Sequence, residues 1–204
     1  EEIETSLNSV KEQLSGSAFS FERKHNYVEA ICPWGNKLKI HEPAAEYGSM
    51  HLGMPYVEIS APKASSKKIA RFYQEILGAK VSTNLRHGAP CASITTGAAQ
   101  FIHFVETDIP QPDYDGHHVA IYIADFATPY RKLRERDLIS RESDEHEWRF
   151  IDVIDLDTNE TIFQIEHEVR SVTHPLYARP LVNRNPAQTN RSYHRGQDGF
   201  LGEI

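Results

Sequence analysis

Cysteine is nearly missing from this chain of 204 residues, where Cys32 and Cys91 are the only two. Two thiols exclude a disulfide framework and a cysteine-based zinc site, and they fit a reducing compartment, so a cytoplasmic setting is expected. Long hydrophobic runs are missing too. No stretch approaches the roughly 18 uninterrupted apolar residues that a membrane span needs, and no membrane partner is expected. Basic excess is also lacking, with 22 Lys and Arg against 29 Asp and Glu and a formal charge of −7. That balance speaks against a general nucleic-acid surface. The start, Glu1-Glu2-Ile3-Glu4, lacks both an initiator Met and an apolar signal core. It reads as the beginning of what was ordered or processed, not as the natural start of a gene product.

Hydrophobic residues make up 39% of the chain and charged residues 25%. This is enough to bury a core, in one or two domains by length. Ile3, Leu7, Val10 and Leu14 recur at helical spacing, and Gly16 stops the pattern. Strands are predicted at Ala18–Arg23, Tyr27–Ile31 and Lys37–His41, with a turn at Cys32-Pro33-Trp34-Gly35-Asn36. Pro, Gly, Ala and Ser then dilute the pattern, and 47–54 reads as a linker.

The next strand is Tyr56–Ala61. A helix follows with Ile69, Phe72, Tyr73, Ile76 and Leu77 on one face, capped by Ser65 or Ser66 and ended by Gly78. Lys80–Leu85, Ala92–Thr95 and Gln100–Glu106 alternate like strands. The pattern then restarts. His118–Ala124 is a strand, Thr128-Pro129 opens a helix through Tyr130, Leu133 and Leu138, and strands follow at Arg149–Ile154 and Thr161–His167. Beyond about residue 172 the periodicity is lost, and 173–204 is expected to be an extended arm. Its modest basic bias, from residues such as Arg179, Arg184 and Arg191, fits packing on its own domain or on a symmetry mate.

The restart is an internal repeat. Tyr56-Val57-Glu58-Ile59-Ser60-Ala61-Pro62 aligns with His118-Val119-Ala120-Ile121-Tyr122-Ile123-Ala124. Ile102-His103-Phe104-Val105-Glu106 aligns with Phe163-Gln164-Ile165-Glu166-His167. Residues 55–172 therefore read as a complete pair of βαβββ modules. Residues 1–46 read as a partial module lacking its first strand, which is expected upstream of Glu1. The fold class is α+β: paired modules curling a mixed sheet into a mostly apolar cup with ionisable side chains at its wall.

With His118-Val119-Ala120-Ile121-Tyr122-Ile123-Ala124-Asp125, the helix ending Phe72-Tyr73-Gln74-Glu75-Ile76-Leu77-Gly78 and the Asp/Gly/Asn turns, the chain resembles the vicinal-oxygen-chelate superfamily. That superfamily includes glyoxalases, bleomycin-resistance proteins and extradiol dioxygenases. The resemblance covers 54–170 well and 1–42 in part. It implies a metal held from the first and last strands of each module, at the places of Tyr56, His103, His118 and Gln164. His103 and His118 suit a divalent ion (Fe, Mn, Zn or Ni) through neutral imidazole, whereas Tyr56 is an unusual ligand and Gln164 a weak one. Strand periodicity puts Glu58 on the face of Tyr56 and Glu166 on that of Gln164, so either glutamate could supply an anionic oxygen.

The resulting expectation is a lyase, isomerase or ring-cleaving dioxygenase acting on a small oxygenated metabolite, with no nucleotide cofactor. His103, His118 and Glu166 would hold the metal, and Glu58 or Glu166 would move a proton. Tyr56, Tyr122 and Gln164 would bind substrate. A metal-free small-molecule binding protein of the resistance type is the rival, which the Tyr56 and Gln164 replacements favour. A third reading makes the modules an assembly scaffold, and a homodimer is expected. Three features have simpler readings. Asp152, Asp155 and Asp157 lack EF-hand spacing and read as a solvated hairpin turn. Asn190-Arg191-Ser192 matches a glycosylation acceptor by chance. His167 and Glu168 read as a solvated strand end.

Overall fold

The computed structural model describes residues 2–50, 52–179, 185, 187–189, 193 and 194. Arg184, the Asn190-Arg191-Ser192 triplet and most of the expected arm lie outside the described residues. The chain divides into two compact units, Glu1–His51 and Leu52–Ile204. Among the described residues, no helix is long and apolar enough to cross a membrane.

The first unit consists of α1 (Glu2–Val10), three strands, β1 (Ser20–Arg23), β2 (Tyr27–Ile31) and β3 (Lys37–His41), and a short 3-10 turn at Ala45–Tyr47. The strands lie in the order β1-β2-β3, antiparallel throughout, with Phe21 opposite Ala30 and Tyr27 opposite His41. The predicted Cys32–Asn36 turn joins β2 to β3, closed by Cys32 N–H donating to Asn36 O at 2.9 Å. Val28 and Ala30 are its buried hydrophobic residues, and α1 buries none.

The second unit is the predicted pair. Its first module comprises β4 (Tyr56–Pro62), α2 (Ser66–Glu75), β5 (Val81–Arg86), β6 (Ala89–Gly97) and β7 (Gln100–Thr107). Its second comprises β8 (His118–Ile123), α3 (Ala127–Arg134), β9 (Ile139–Asp144), β10 (Glu147–Ile154) and β11 (Thr161–Ser171). The sheet orders are β4-β7-β6-β5 and β8-β11-β10-β9. In each sheet the first strand runs parallel to the last and every other pairing is antiparallel. The fold is α+β with two four-stranded mixed sheets.

Alternation along the strands separates two faces of each sheet. The inner one packs under the helices. Ile69, Phe72, Tyr73 and Ile76 of α2 are at most 2% exposed, and they share a core with Phe104, Phe150, Val153, Ile165 and Val169. Phe72 meets Phe150 at 5.9 Å and Tyr73 meets His167 at 5.5 Å between ring centroids, so α2 packs on both sheets. Each such side chain contributes about 1.5–3 kcal/mol by leaving water. Apolar residues thus gather under the helices, and the opposite sheet faces carry the ionisable residues. This differs from the expected apolar cup, because α2 packs on one face of both sheets and draws their apolar residues there.

Local details also differ. Neither serine caps α2 through its side chain as expected; the Ser65 hydroxyl donates to Pro62 O at 2.5 Å. The cap comes from Glu106 at the end of β7, whose carboxylate accepts Ala64 N–H at 2.8 Å and Ser66 N–H at 2.9 Å. Gly78 ends the helical segment at φ 68°, a conformation that glycine adopts without a Cβ clash. Residues 173–179 form successive turns, with Tyr177 N–H donating to His174 O at 2.9 Å, where an extended arm was expected. Asp155 is buried rather than solvated; it pairs with Lys68 at 2.7 Å, while Asp157 pairs with Arg71 at 2.8 Å.

Candidate functional site: the polar faces of the paired sheets

In the second module, β10 and β11 face each other with Glu147 opposite Arg170 and Arg149 opposite Glu168. Arg149 donates from Nε to Glu147 at 3.0 Å and from Nη1 to Glu166 at 2.9 Å, and its Nη2 lies 3.0 Å from Glu168. Arg170 donates from Nε to Glu147 at 3.2 Å, from Nη1 to the Tyr122 hydroxyl at 3.0 Å and from Nη2 to Glu168. Three carboxylates and two guanidiniums thus share one half-buried network. Burial pushes the Glu147 carboxyl up, but hydrogen bonds with Ser143, Glu168 and Arg149, together with the Arg149 charge, outweigh it and hold the group well below the usual carboxylate range.

The first module carries a different set at the same place. Ser93 lies opposite His103, with Oγ 2.9 Å from His103 Nδ1, and Asn84 Nδ2 donates to the same Oγ at 3.2 Å. The His103 ring stacks on Phe101 at 5.6 Å and meets Tyr56 at 5.8 Å. Burial, with help from the Arg86 charge, keeps its pKa below the ordinary histidine value. Glu58 lies beside His103 on the neighbouring strand, but its carboxylate accepts from Arg86 Nε and approaches His87 Nε2 at 3.1 Å. The Arg86 guanidinium also sits 4.6 Å from the centre of the Tyr56 ring.

The pairing corrects the repeat register. Tyr56 is opposite Phe101 and His118 is opposite Glu166, so the counterpart of His103 is Glu168, not Gln164. Gln164 lies ahead of the stretch paired with β8, is exposed, and donates to Asp152 at 2.9 Å. The slip is an even number of residues. Alternation repeats every two residues and cannot detect it, and β11, at 11 residues against 8 for β7, leaves room for it.

The proposed metal set does not assemble. His103 is held by Ser93, Glu166 by Arg149, and the half-exposed His118 side chain comes nearest Glu168, at 3.9 Å. Among the described residues no group of three His, Cys, Asp or Glu side chains is placed to hold a metal ion. The donors also have the wrong partners, since a divalent ion would have to displace a guanidinium from Glu58, Glu166 or Glu168. These residues do not fit a resident divalent ion.

Sequence reading overlooked Arg149, Arg170, Glu147, Glu168 and Ser93. Glu147/Arg149 and Glu168/Arg170 each recur at a spacing of two on facing strands, which is the available signal once the hairpin register is known. Sequence reading also placed His167 and Glu168 in solvent. His167 is fully buried, stacked on Phe150 at 4.1 Å, with Nε2 2.5 Å from the Tyr73 hydroxyl. Burial lowers its pKa to about 3.

A groove of about 450 Å³ opens beside the core, between the end of α2 and the start of α3. Ile76, Leu77, Ile94, Ile121 and Ile123 line it, with Tyr122 and Lys80 among the polar residues.

No family model matches the chain, and no curated protein matches it. Solved structures do. A protein assigned to the glyoxalase family from Bacillus anthracis is 19% identical, with 59% of this chain and 94% of that one covered at a TM-score of 0.43. Lactoylglutathione lyase from Agrobacterium tumefaciens is 13% identical, with 60% and 95% covered at 0.39. A genomically encoded fosfomycin resistance protein from Listeria monocytogenes is 13% identical, with 60% and 92% covered at 0.42.

Proposed function

We propose that the paired modules form a small-molecule binding protein of glyoxalase-like architecture that works without a resident divalent ion. One observation carries this reading: the carboxylates that a metal would need, Glu58, Glu166 and Glu168, are each engaged by an arginine. Such pairs are strong and directional, and when half-buried they hold side chains in place for a ligand without a metal. The groove has the volume of a small-molecule site, and Ile121 and Ile123 line it from the face of β8 opposite the Tyr122–Arg170 bond. The ligand is a small, mainly apolar molecule held against Ile76, Ile94, Ile121 and Ile123.

Elemental analysis of the purified protein, followed by calorimetric titration with Mn, Ni, Zn and Fe(II), tests the metal-free reading. The expected result is less than a tenth of an equivalent bound and no saturable heat. One equivalent of metal that disappears in both His103→Ala and Glu166→Gln would restore the metal-dependent lyase or dioxygenase reading. The ligand site is tested by screening small aromatic and aliphatic compounds by NMR. Shifts are expected around Ile121–Ile123, lost in Ile123→Trp. Shifts scattered over the surface, or unchanged by that substitution, would refute the groove. A cytoplasmic homodimer completes the proposal, with light scattering as the check on its assembly state.

A further inference from the structure

The groove beside α2 combines an apolar wall with a small charged set. Ile76, Ile94, Ile121 and Ile123 supply the wall, and the charged residues of the lining are Lys80, Lys132 and Asp125. Two ammonium groups thus stand against one carboxylate. That carboxylate is already engaged, because Asp125 accepts Thr128 N–H at 3.1 Å at the start of α3. Hydrogen bonds from Thr128, with the charges of Arg131 and Lys132, hold the Asp125 carboxyl below its ordinary value.

Lys132 is the more closely positioned of the two cations. It lies on α3, and its Nζ donates to the carbonyl oxygen of Glu75, the last residue of α2, at 2.5 Å. An ammonium has three donors, and this bond uses one. The acceptor is a main-chain carbonyl, so the bond fixes the place of the charge without neutralising it. The Glu75 side chain is itself turned to Arg71, at 2.7 Å. A lysine here also supports the carbonyl end of α2, a role for which the hydrogen bond alone is sufficient.

We propose that the groove binds an apolar molecule ending in a carboxylate. The tail lies against Ile76, Ile94, Ile121 and Ile123, and the carboxylate meets Lys132 Nζ, with Lys80 adding to the positive field. The surplus of one positive charge in the lining matches a single negative charge on the ligand. This inference rests on the groove being the ligand site and adds the charge of what fills it.

The test uses the full chain with octanoate, octan-1-ol and octylamine, three ligands of one tail length, titrated by NMR at Ile121–Ile123 in low salt. Octanoate is expected to bind about two- to fivefold tighter than octan-1-ol, the size of an exposed ion pair, and octylamine more weakly than either. High salt should erase the octanoate advantage. Lys132→Gln keeps a hydrogen-bond donor but loses the charge, and is expected to bring octanoate down to the level of octan-1-ol; Lys132→Arg is expected to keep the preference. Equal affinity of octanoate and octan-1-ol for the unmodified protein, or a preference that survives Lys132→Gln, would overturn the carboxylate assignment and leave the groove standing. Binding of none of the three would overturn the groove and this inference with it.

Discussion

The two complete modules share a strand order but not the chemistry of their polar faces. Cys91 opposite Val105 and Ser93 opposite His103 in the first correspond to Glu147 opposite Arg170 and Arg149 opposite Glu168 in the second. Four positions that are neutral or weakly basic in one are fully charged in the other. Both sets satisfy the same geometric demand, because side chains on adjacent strands approach closely and must form compatible pairs. The backbone is indifferent to which pairs are used. Duplication thus preserved the scaffold while the faces diverged, and the charged face is the more fragile. A half-buried ion network depends on every member, whereas Ser93 and His103 form a neutral pair.

The largest test of that contrast removes an arginine from each face. Arg149→Ala leaves Glu166 without an arginine and Glu147 and Glu168 with Arg170 alone, and should cost about 3 kcal/mol. Arg86→Ala, which leaves a single glutamate that water can reach, should cost about 1 kcal/mol or less. Urea denaturation measures both, and equal losses would erase the distinction between the modules.

Acid titration comes next. His167 stays neutral in the folded state down to about pH 3, while the unfolded chain takes up the proton near pH 6.5. Its contribution is therefore complete above pH 6.5 and lost as pH falls toward 3, at about 1.4 kcal/mol per pH unit. In His167→Phe that slope should disappear between pH 6 and 5, above the range where Glu147 begins to titrate. His103, in the first module, has a pKa lowered by burial and should add a slope of the same sign. A His167→Phe stability profile parallel to that of the unmodified protein would show that the buried ring does not control acid stability.

Smaller effects belong to the helix caps. Glu106→Ala removes two amide acceptors from the start of α2, and about 1 kcal/mol of stability should go with them. Asp125→Ala removes the bond from Thr128 N–H at the start of α3, at 3.1 Å, and should cost less than Glu106→Ala. A larger loss from Asp125 than from Glu106 would reverse the ranking of the two helix starts.

How much of this was legible in advance varies by element. Strand Tyr56–Pro62 and helix Ser66–Glu75 follow from clean periodicity and a glycine stop. Strand β9 was not: Ile-Ser-Arg-Glu-Ser-Asp is polar on both faces and exposed for most of its length, so it carries no alternation to read. His103 was expected as a metal ligand, and the side chain that meets it is Ser93, at 2.9 Å. Arg149 and Arg170 were passed over because an isolated arginine in a strand looks like solvent-facing charge. Only their placement opposite Glu168 and Glu147 shows that they are tied down.

Hydrophobic period, turn chemistry and the internal repeat by themselves determined the pairing of two modules and every strand of them but β9, because these are local properties that survive without knowledge of neighbours. Tertiary structure decided which residue faces which: the four-residue slip that replaces Gln164 with Glu168 as the counterpart of His103, the burial of His167, and the arginines that occupy the carboxylates. Pairing between strands is a long-range relation, and a pattern of period two is blind to any shift by an even number of residues.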